Sequence, residues 1–283
     1  MIAIVGAVVV LAAVLIGFTM AGGKVGALIH PSELVVIGGS ALGALIIMSP
    51  KRVLVDVLKG IVQVLKGSPY DKAACMELLG LLNALARLAR RDGMLALDSH
   101  LSDPENSDIF RQYPRVLHNH HLRQFLCNAL SRIVDGSAEP DALEQELESD
   151  IAVLEREHHQ VVTALAKTAD SLPGFGIVAA VLGIVITMQA IDGPVEEIGH
   201  KVGAALVGTF LGILLSYGFL APLASRLELM GEQETVVLRA VILATVELAK
   251  GANPRELISR VSRVLSSDCR PTAEELKQLV GSS

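Results

Sequence analysis

The chain has 283 residues, 51% of them hydrophobic and 19% charged, with a formal charge of −6 and no tryptophan. A mean hydropathy of +0.51 excludes an ordinary soluble domain. The acidic balance, with no basic aromatic platform, excludes nucleic acid as a partner. Three widely spaced cysteines, Cys75, Cys127 and Cys269, form no disulfide framework and suit reduced cytoplasmic segments.

Residues 2–20 carry no charge and no basic stretch precedes them, so they are expected to form an uncleaved first membrane helix. A Gly-rich loop follows. Residues 34–50 make a second apolar run, ended by Lys51 and Arg52, whose long side chains can snorkel to the interface. Residues 51–170 read as a helical cytoplasmic insertion. Within it, residues 76–88 and 116–134 are amphipathic, and Ser68-Pro69 and Asp103-Pro104 are expected helix starts. The segment 141–169 begins acidic and turns apolar, as a helix running into a membrane span would.

Residues 171–222 organise the rest. No charge lies between Asp170 and Asp192, or between Lys201 and Arg226, and each interval is long enough to cross a bilayer as an α-helix. A short acidic loop with Asp192, Glu196 and Glu197 joins them. Pro173, Gly176, Ala180, Gly183 and Thr187 recur at spacings of three and four on the first helix. Ala205, Gly208, Gly212 and Ser216 do so on the second. Lipid gives helices no hydrophobic reason to associate, so such stripes mark close backbone approach. Pro173 enters the first helix and Pro222 closes the second, and each is a candidate bend point. After Pro222, residues 223–250 read as helix, Asn253-Pro254 as a new start, and Thr272 to Glu275 as a capping box.

The fold class expected is an all-α membrane protein with four spans. Residues 1–50 hold two spans and 51–170 the cytoplasmic domain; residues 171–222 hold the other two spans and 223–283 the cytoplasmic tail. Lys51, Arg52, Lys59 and Lys66 crowd one side, which places both short loops outside and both termini in the cytoplasm. No span has Asp, Glu, Lys, Arg or His in its core. Such groups mark proton relays, so any titrating carboxylate must come from another polypeptide. The hydroxyls Thr19, Ser40, Thr187, Thr209, Ser216 and Tyr217 remain as candidate path-lining groups. His118, His120, His121 and Cys127 match no metal-binding spacing, no catalytic motif occurs, and no cofactor is expected.

The stretches DSLPGFGIVAAVLGIV and VGTFLGILLSYGFLAPLA resemble the third and fourth membrane helices of the MotA stator family of the bacterial flagellar motor. The resemblance implies a pentamer of this chain in the inner membrane around MotB, whose helix bears an essential aspartate. It implies that Thr209 lies beside the ion path, together with Ala180, where sodium-driven relatives tend to carry threonine; Ala180 therefore points to protons. LARLARRDGMLALD resembles the family's torque motif, with Arg90 as the basic residue and Asp98 in place of the usual glutamate, facing the rotor protein FliG. Asp150 falls at a further acidic position. The alternative, an ExbB or TolQ energiser of outer-membrane processes, usually has three spans, with the insertion after the first. A self-contained transporter would want intramembrane charges or two related halves.

Overall fold

A computed structural model describes residues 2–136, 139–189, 191–192 and 194–281, without the side chains of Glu197 and His200. Gly193 and those two side chains, which belong to the expected acidic loop and its flank, lie outside the described residues. In chain order the helices are α1 (Ile2–Met20), α2 (Pro31–Met48), α3 (Lys51–Lys66), α4 (Lys72–Asp92), α5 (Asp98–Ser102) and α6 (Pro114–His118). There follow α7 (His120–Val134), α8 (Pro140–Gln189), α9 (Val195–Leu215), α10 (Ala221–Ala249), α11 (Pro254–Val264) and α12 (Ala273–Gly281). Short 3-10 turns join several of them, and no strand occurs among the described residues. The all-α fold with four apolar helices long enough to cross a membrane is as expected.

One compact unit comprises Met1–Gly67 and Glu157–Leu229. Here α1 is apolar on every face and buries nothing within the chain, as suits a helix surrounded by lipid or other subunits. By contrast α3 is amphipathic. Val53, Val57, Gly60 and Val64 are buried, and a methyl group on Gly60 would meet Leu227 Cδ2 at 3.0 Å. Pro50 stands before α3 and opens it as a separate helix. Arg52, rather than simply ending the second span, donates to Glu157 through both terminal nitrogens, one of them at 2.6 Å. That pairing raises the Arg52 pKa. The small core of this unit is Ile37, Ala41, Leu172 and Ala179, with Phe175 and Leu211 against it.

The other unit comprises Ser68–Arg156 and Met230–Ser283 and holds the larger core. Leu78, Leu82 and Leu85 of α4, Leu126 and Leu130 of α7, and Leu257, Ile258 and Val261 of α11 are all buried there. Leu143, Leu147 and Ile151 from the start of α8 join them, as do Val237, Val241 and Val246 from the end of α10. Most of these neighbours recur at spacings of three or four residues, the helical stripe that makes burial possible.

Packing divides the chain elsewhere than the membrane surface does. The unit boundaries at 156/157 and 229/230 fall inside α8 and α10. At about 1.5 Å per residue, the 50 residues of α8 far exceed the roughly 30 Å of a bilayer's hydrocarbon core. Its apolar end is the span and its acidic start is not.

Local expectations differ in four places. Ser68-Pro69 does not begin a helix. The start is Lys72, because Asp71 accepts from Ala74 N at 2.8 Å and caps it. Asp103-Pro104 forms a turn instead, with Asp103 Oδ2 accepting from Asn106 Nδ2 at 2.7 Å. The run 116–134 is broken at Asn119, whose side chain caps α7 by accepting from Leu122 N at 3.3 Å. Pro222 does not close a helix; the chain runs on helically to Ala249. The starts at Pro254 and at the capping box are as expected: Glu275 N donates to Thr272 Oγ1 at 3.2 Å and Thr272 N to Glu275 Oε2 at 2.7 Å.

Candidate functional site

The third and fourth spans, the apolar end of α8 and α9, approach backbone to backbone. A methyl group placed on Gly212 would lie 2.6 Å from Leu172 O and 2.9 Å from Gly176 Cα. One on Gly176 would lie 2.8 Å from Gly208 O, and one on Gly183 2.8 Å from Ala205 Cβ. Only glycine permits such approach, so the two small-residue stripes are the contact itself. One member shifts. Ala179, rather than Ala180, packs on Gly208, with Ala179 Cβ 3.1 Å from that glycine's added methyl. Ala180 is half-buried, one position round the helix.

Thr209 is also half-buried, with its Cα 3.3 Å from the added methyl of Gly176. Thr209 and Ala180 thus flank the tightest part of the crossing. Thr209 Oγ1 has no hydrogen-bond partner among the described residues, which leaves it available. Thr187 is buried and donates to Gly183 O at 2.8 Å, and Thr19 donates to Leu15 O at 2.9 Å. Both donors are spent on their own helices.

The two prolines sit in different settings. Pro173 lies within the unbroken α8. Pro222 follows a π-helical turn, Ser216–Leu220, in which Ala221 N donates to Ser216 O. Proline at 222 cannot donate to the carbonyl four residues back, and a wide turn is one way for a helix to accommodate the missing bond. Ser216 is fully buried at the start of this turn, with its Oγ unpartnered among the described residues. Neither the π turn nor the orphaned hydroxyl has a signal in the sequence beyond the proline. Glu33 is the other residue that sequence reasoning passed over. Because α2 starts at Pro31, this carboxylate falls in its first turn, only 7% exposed, accepting from Ser32 Oγ at 2.6 Å. The run of apolar residues that defined the span began one residue later.

In the other unit, α4 ends at Gly93, whose φ of +88° suits glycine. A 3-10 turn follows, anchored by the buried Leu97 and presenting Leu95 at 77% exposure. Arg90 is exposed in the last turn of α4, and Asp98 is exposed at the start of α5. Arg91 pairs with Asp92 at 2.7 Å, which holds the Asp92 carboxyl below its usual pKa. Arg90 and Asp98 have no ion-pair partner among the described residues, so they are the charges this loop offers outward. Asp150 is placed differently: Arg132 donates to it at 2.9 Å. The three cysteines are free and buried. Burial pushes the Cys127 thiol up to about 11 and the Cys75 thiol higher still, which disfavours the thiolate form.

The fold and the crossing define a helical membrane protein that holds two spans together through glycine. Residues 4–93 match the family described as Motility protein A N-terminal, and residues 117–239 match the MotA/TolQ/ExbB proton channel family. Motility protein A of Salmonella typhimurium is 36% identical over 280 residues, covering 99% of this chain and 95% of that protein. Chemotaxis protein LafT of Vibrio parahaemolyticus is 37% identical over 273 residues, covering 96% of each. The C. jejuni MotAB structure superposes with a TM-score of 0.80 at 25% identity, over 96% of this chain and 98% of that one. The Bacillus subtilis flagellar MotAB stator complex shares the fold, with a TM-score of 0.74 at 24% identity over 91% of this chain and 92% of that one. The chain belongs to the Motility protein A family, and residues 117–239 carry the MotA/TolQ/ExbB proton channel region.

Proposed function

We propose that this chain forms, with a MotB-type subunit, a proton channel that turns ion flow into torque on the rotor protein FliG. One observation carries the reading. Two spans are locked together through glycine, yet the described parts of residues 172–189 and 202–222 contain no Asp, Glu, Lys, Arg or His. A proton relay needs a titrating group, so the carboxylate belongs to a partner helix. The free hydroxyl of Thr209 and the oxygen-poor Ala180 flank the crossing, and a site with few oxygens suits protons better than sodium, a hard cation that needs oxygen ligands. The chain assembles as a pentamer around MotB in the inner membrane, with both termini cytoplasmic. Protonation of the partner's aspartate shifts packing at Pro173 and at the π turn before Pro222. Arg90 and Asp98 then step past oppositely charged rotor residues. A charge crossing 100 mV releases about 2.3 kcal/mol, enough for a modest repacking of helices.

The test is rotation in a flagellated host lacking its own stators, expressing this chain with and without its MotB-type partner. Rotation only with the partner, stopped by a protonophore and indifferent to sodium, is the expected result. Rotation that tracks sodium and ignores the protonophore overturns proton coupling. Copurification with the partner but no rotation would favour an energiser of the ExbB or TolQ type, which energised outer-membrane uptake would then report.

A further inference from the structure

The helix that follows the second span is apolar on two sides. In α3, Val53, Val57, Gly60 and Val64 are buried. At about 100° per residue they form one stripe, and Val55, Leu58 and Val62 form a second roughly 160° round the helix. That second stripe is uncovered within the chain, its side chains 50%, 66% and 50% exposed. Packing holds it outward, since Gly60 on the opposite stripe lies against Leu227. A surface helix ordinarily keeps its charges on the side turned away from the core. Here aliphatic side chains take that place, and all the charges of α3 except Lys51 are displaced to one flank. A continuous apolar patch of this kind marks a surface that meets something other than water.

Position and charge say what covers it. α2 ends at Met48 and α3 begins at Lys51. The 18 residues of α2 rise about 27 Å, close to the thickness of a bilayer's hydrocarbon core, so α3 starts at the level of the lipid headgroups. The only carboxylate in α3, Asp56, lies 3.2 Å from Lys59 and 3.8 Å from Arg52, and Arg52 is also held by Glu157. Lys51 and Lys66, at the two ends of α3, have no ion-pair partner among the described residues. By helical position Lys51 falls on the uncovered stripe, and Lys59 and Lys66 fall along its edge. A second copy offering the same stripe would set lysine against lysine. An acyl layer beneath acidic headgroups matches both chemistries, taking the aliphatic side chains and meeting the ammonium groups with phosphate. We infer that α3 lies in the headgroup layer of the membrane and that its lysines bind anionic phospholipids in preference to zwitterionic ones. The inference rests on α2 crossing the membrane and on neither proton flow nor torque.

The chain has no tryptophan, so Leu58→Trp gives it a single reporter on the stripe. The full chain with its MotB-type partner is placed in vesicles of three parts phosphatidylcholine to one part phosphatidylglycerol. One lipid or the other carries brominated acyl chains, and the same complex without the substitution measures the partner's own emission. The expected result is blue-shifted emission that aqueous iodide does not quench. Brominated phosphatidylglycerol should quench it about fivefold more strongly per mole than brominated phosphatidylcholine, the preference that one lysine near an anionic surface supplies. Replacing Lys51, Lys59 and Lys66 together with glutamine should bring the two quenchers level. Should Leu58→Trp fail to copurify with the partner, Val62→Trp on the same stripe gives the same reading. Iodide quenching would place the stripe in water and overturn the inference. So would emission untouched by either brominated lipid, because a second copy would then cover the stripe. Equal quenching by the two lipids with the lysines present would overturn the preference for anionic headgroups. Both leaflets of the vesicle hold both lipids and nothing rotates, so failure of the stator reading would leave this outcome unchanged.

Discussion

The crossing of the third and fourth spans makes its strongest commitment at Gly212. Replacing it with alanine puts a methyl group 2.6 Å from Leu172 O and 2.9 Å from Gly176 Cα, both backbone atoms of the facing helix. Neither can swing aside as a side-chain end would, so the helices must separate by several tenths of an ångström. Overpacking of this kind costs about 1–3 kcal/mol. Alanine recovers up to ~1 kcal/mol in helix propensity, which leaves a net loss of roughly 0–2 kcal/mol. Valine recovers less, because its branched side chain is restricted in a helix, and it adds two more methyl groups to the clash, so the loss should grow well past that of alanine. The control is Gly203, also in α9, where an added methyl meets nothing within 4 Å of the same chain. Stability is read by SDS titration of the detergent-solubilised chain, followed by circular dichroism. The expected order of stability is Gly203→Ala, up to ~1 kcal/mol above wild type, then wild type, then Gly212→Ala, then Gly212→Val. If Gly212→Val is no less stable than Gly203→Val, the backbone approach is not what holds these spans together.

Three further outcomes follow from the geometry. Arg90→Glu should abolish swimming and Arg91→Glu should do much less harm, because Arg91 is already matched by Asp92; tethered-cell torque compares them, and the opposite ranking would refute the assignment. Asp150→Ala should lower stability by less than about 1 kcal/mol, since its pair with Arg132 is half-exposed, and should leave swimming intact. Asp71→Ala should destabilise the unit that holds Ser68–Arg156 and Met230–Ser283 by ~1 kcal/mol through loss of the α4 cap. The backbone N–H of Ala74 lowers the Asp71 pKa below its ordinary 3.8, as does Arg115 after it. This stabilisation is therefore complete above pH 3.8 and is lost as pH falls through the lower folded value. Thermal melts of wild type and variant should converge in acid, and a gap that persists there would refute the linkage.

Much of the site was legible before any coordinates, for identifiable reasons. Glycine and alanine at spacings of three and four leave a visible stripe, and the structure turns that stripe into a contact at Gly176, Gly183, Gly208 and Gly212. Proline advertises a missing donor, but Pro222 did not announce whether the helix would stop or widen. That depended on the π turn, a property of the backbone ladder around Ser216. In the motif around Arg90, five charges look equivalent in sequence. The side chains separate them, since Arg91 and Asp92 satisfy each other.

The sequence by itself determined the class of the molecule: hydropathy and length dictate four spans with little charge within them. These are sums over neighbouring residues, and they survive any arrangement in space. Only the tertiary structure decided which charges are spent and which are free, because pairing depends on residues far apart in the chain. Arg132 claims Asp150 across 18 positions, and Arg90 comes to share a recess with Arg255 and Lys277, residues from the distant tail. No window along the sequence contains those encounters.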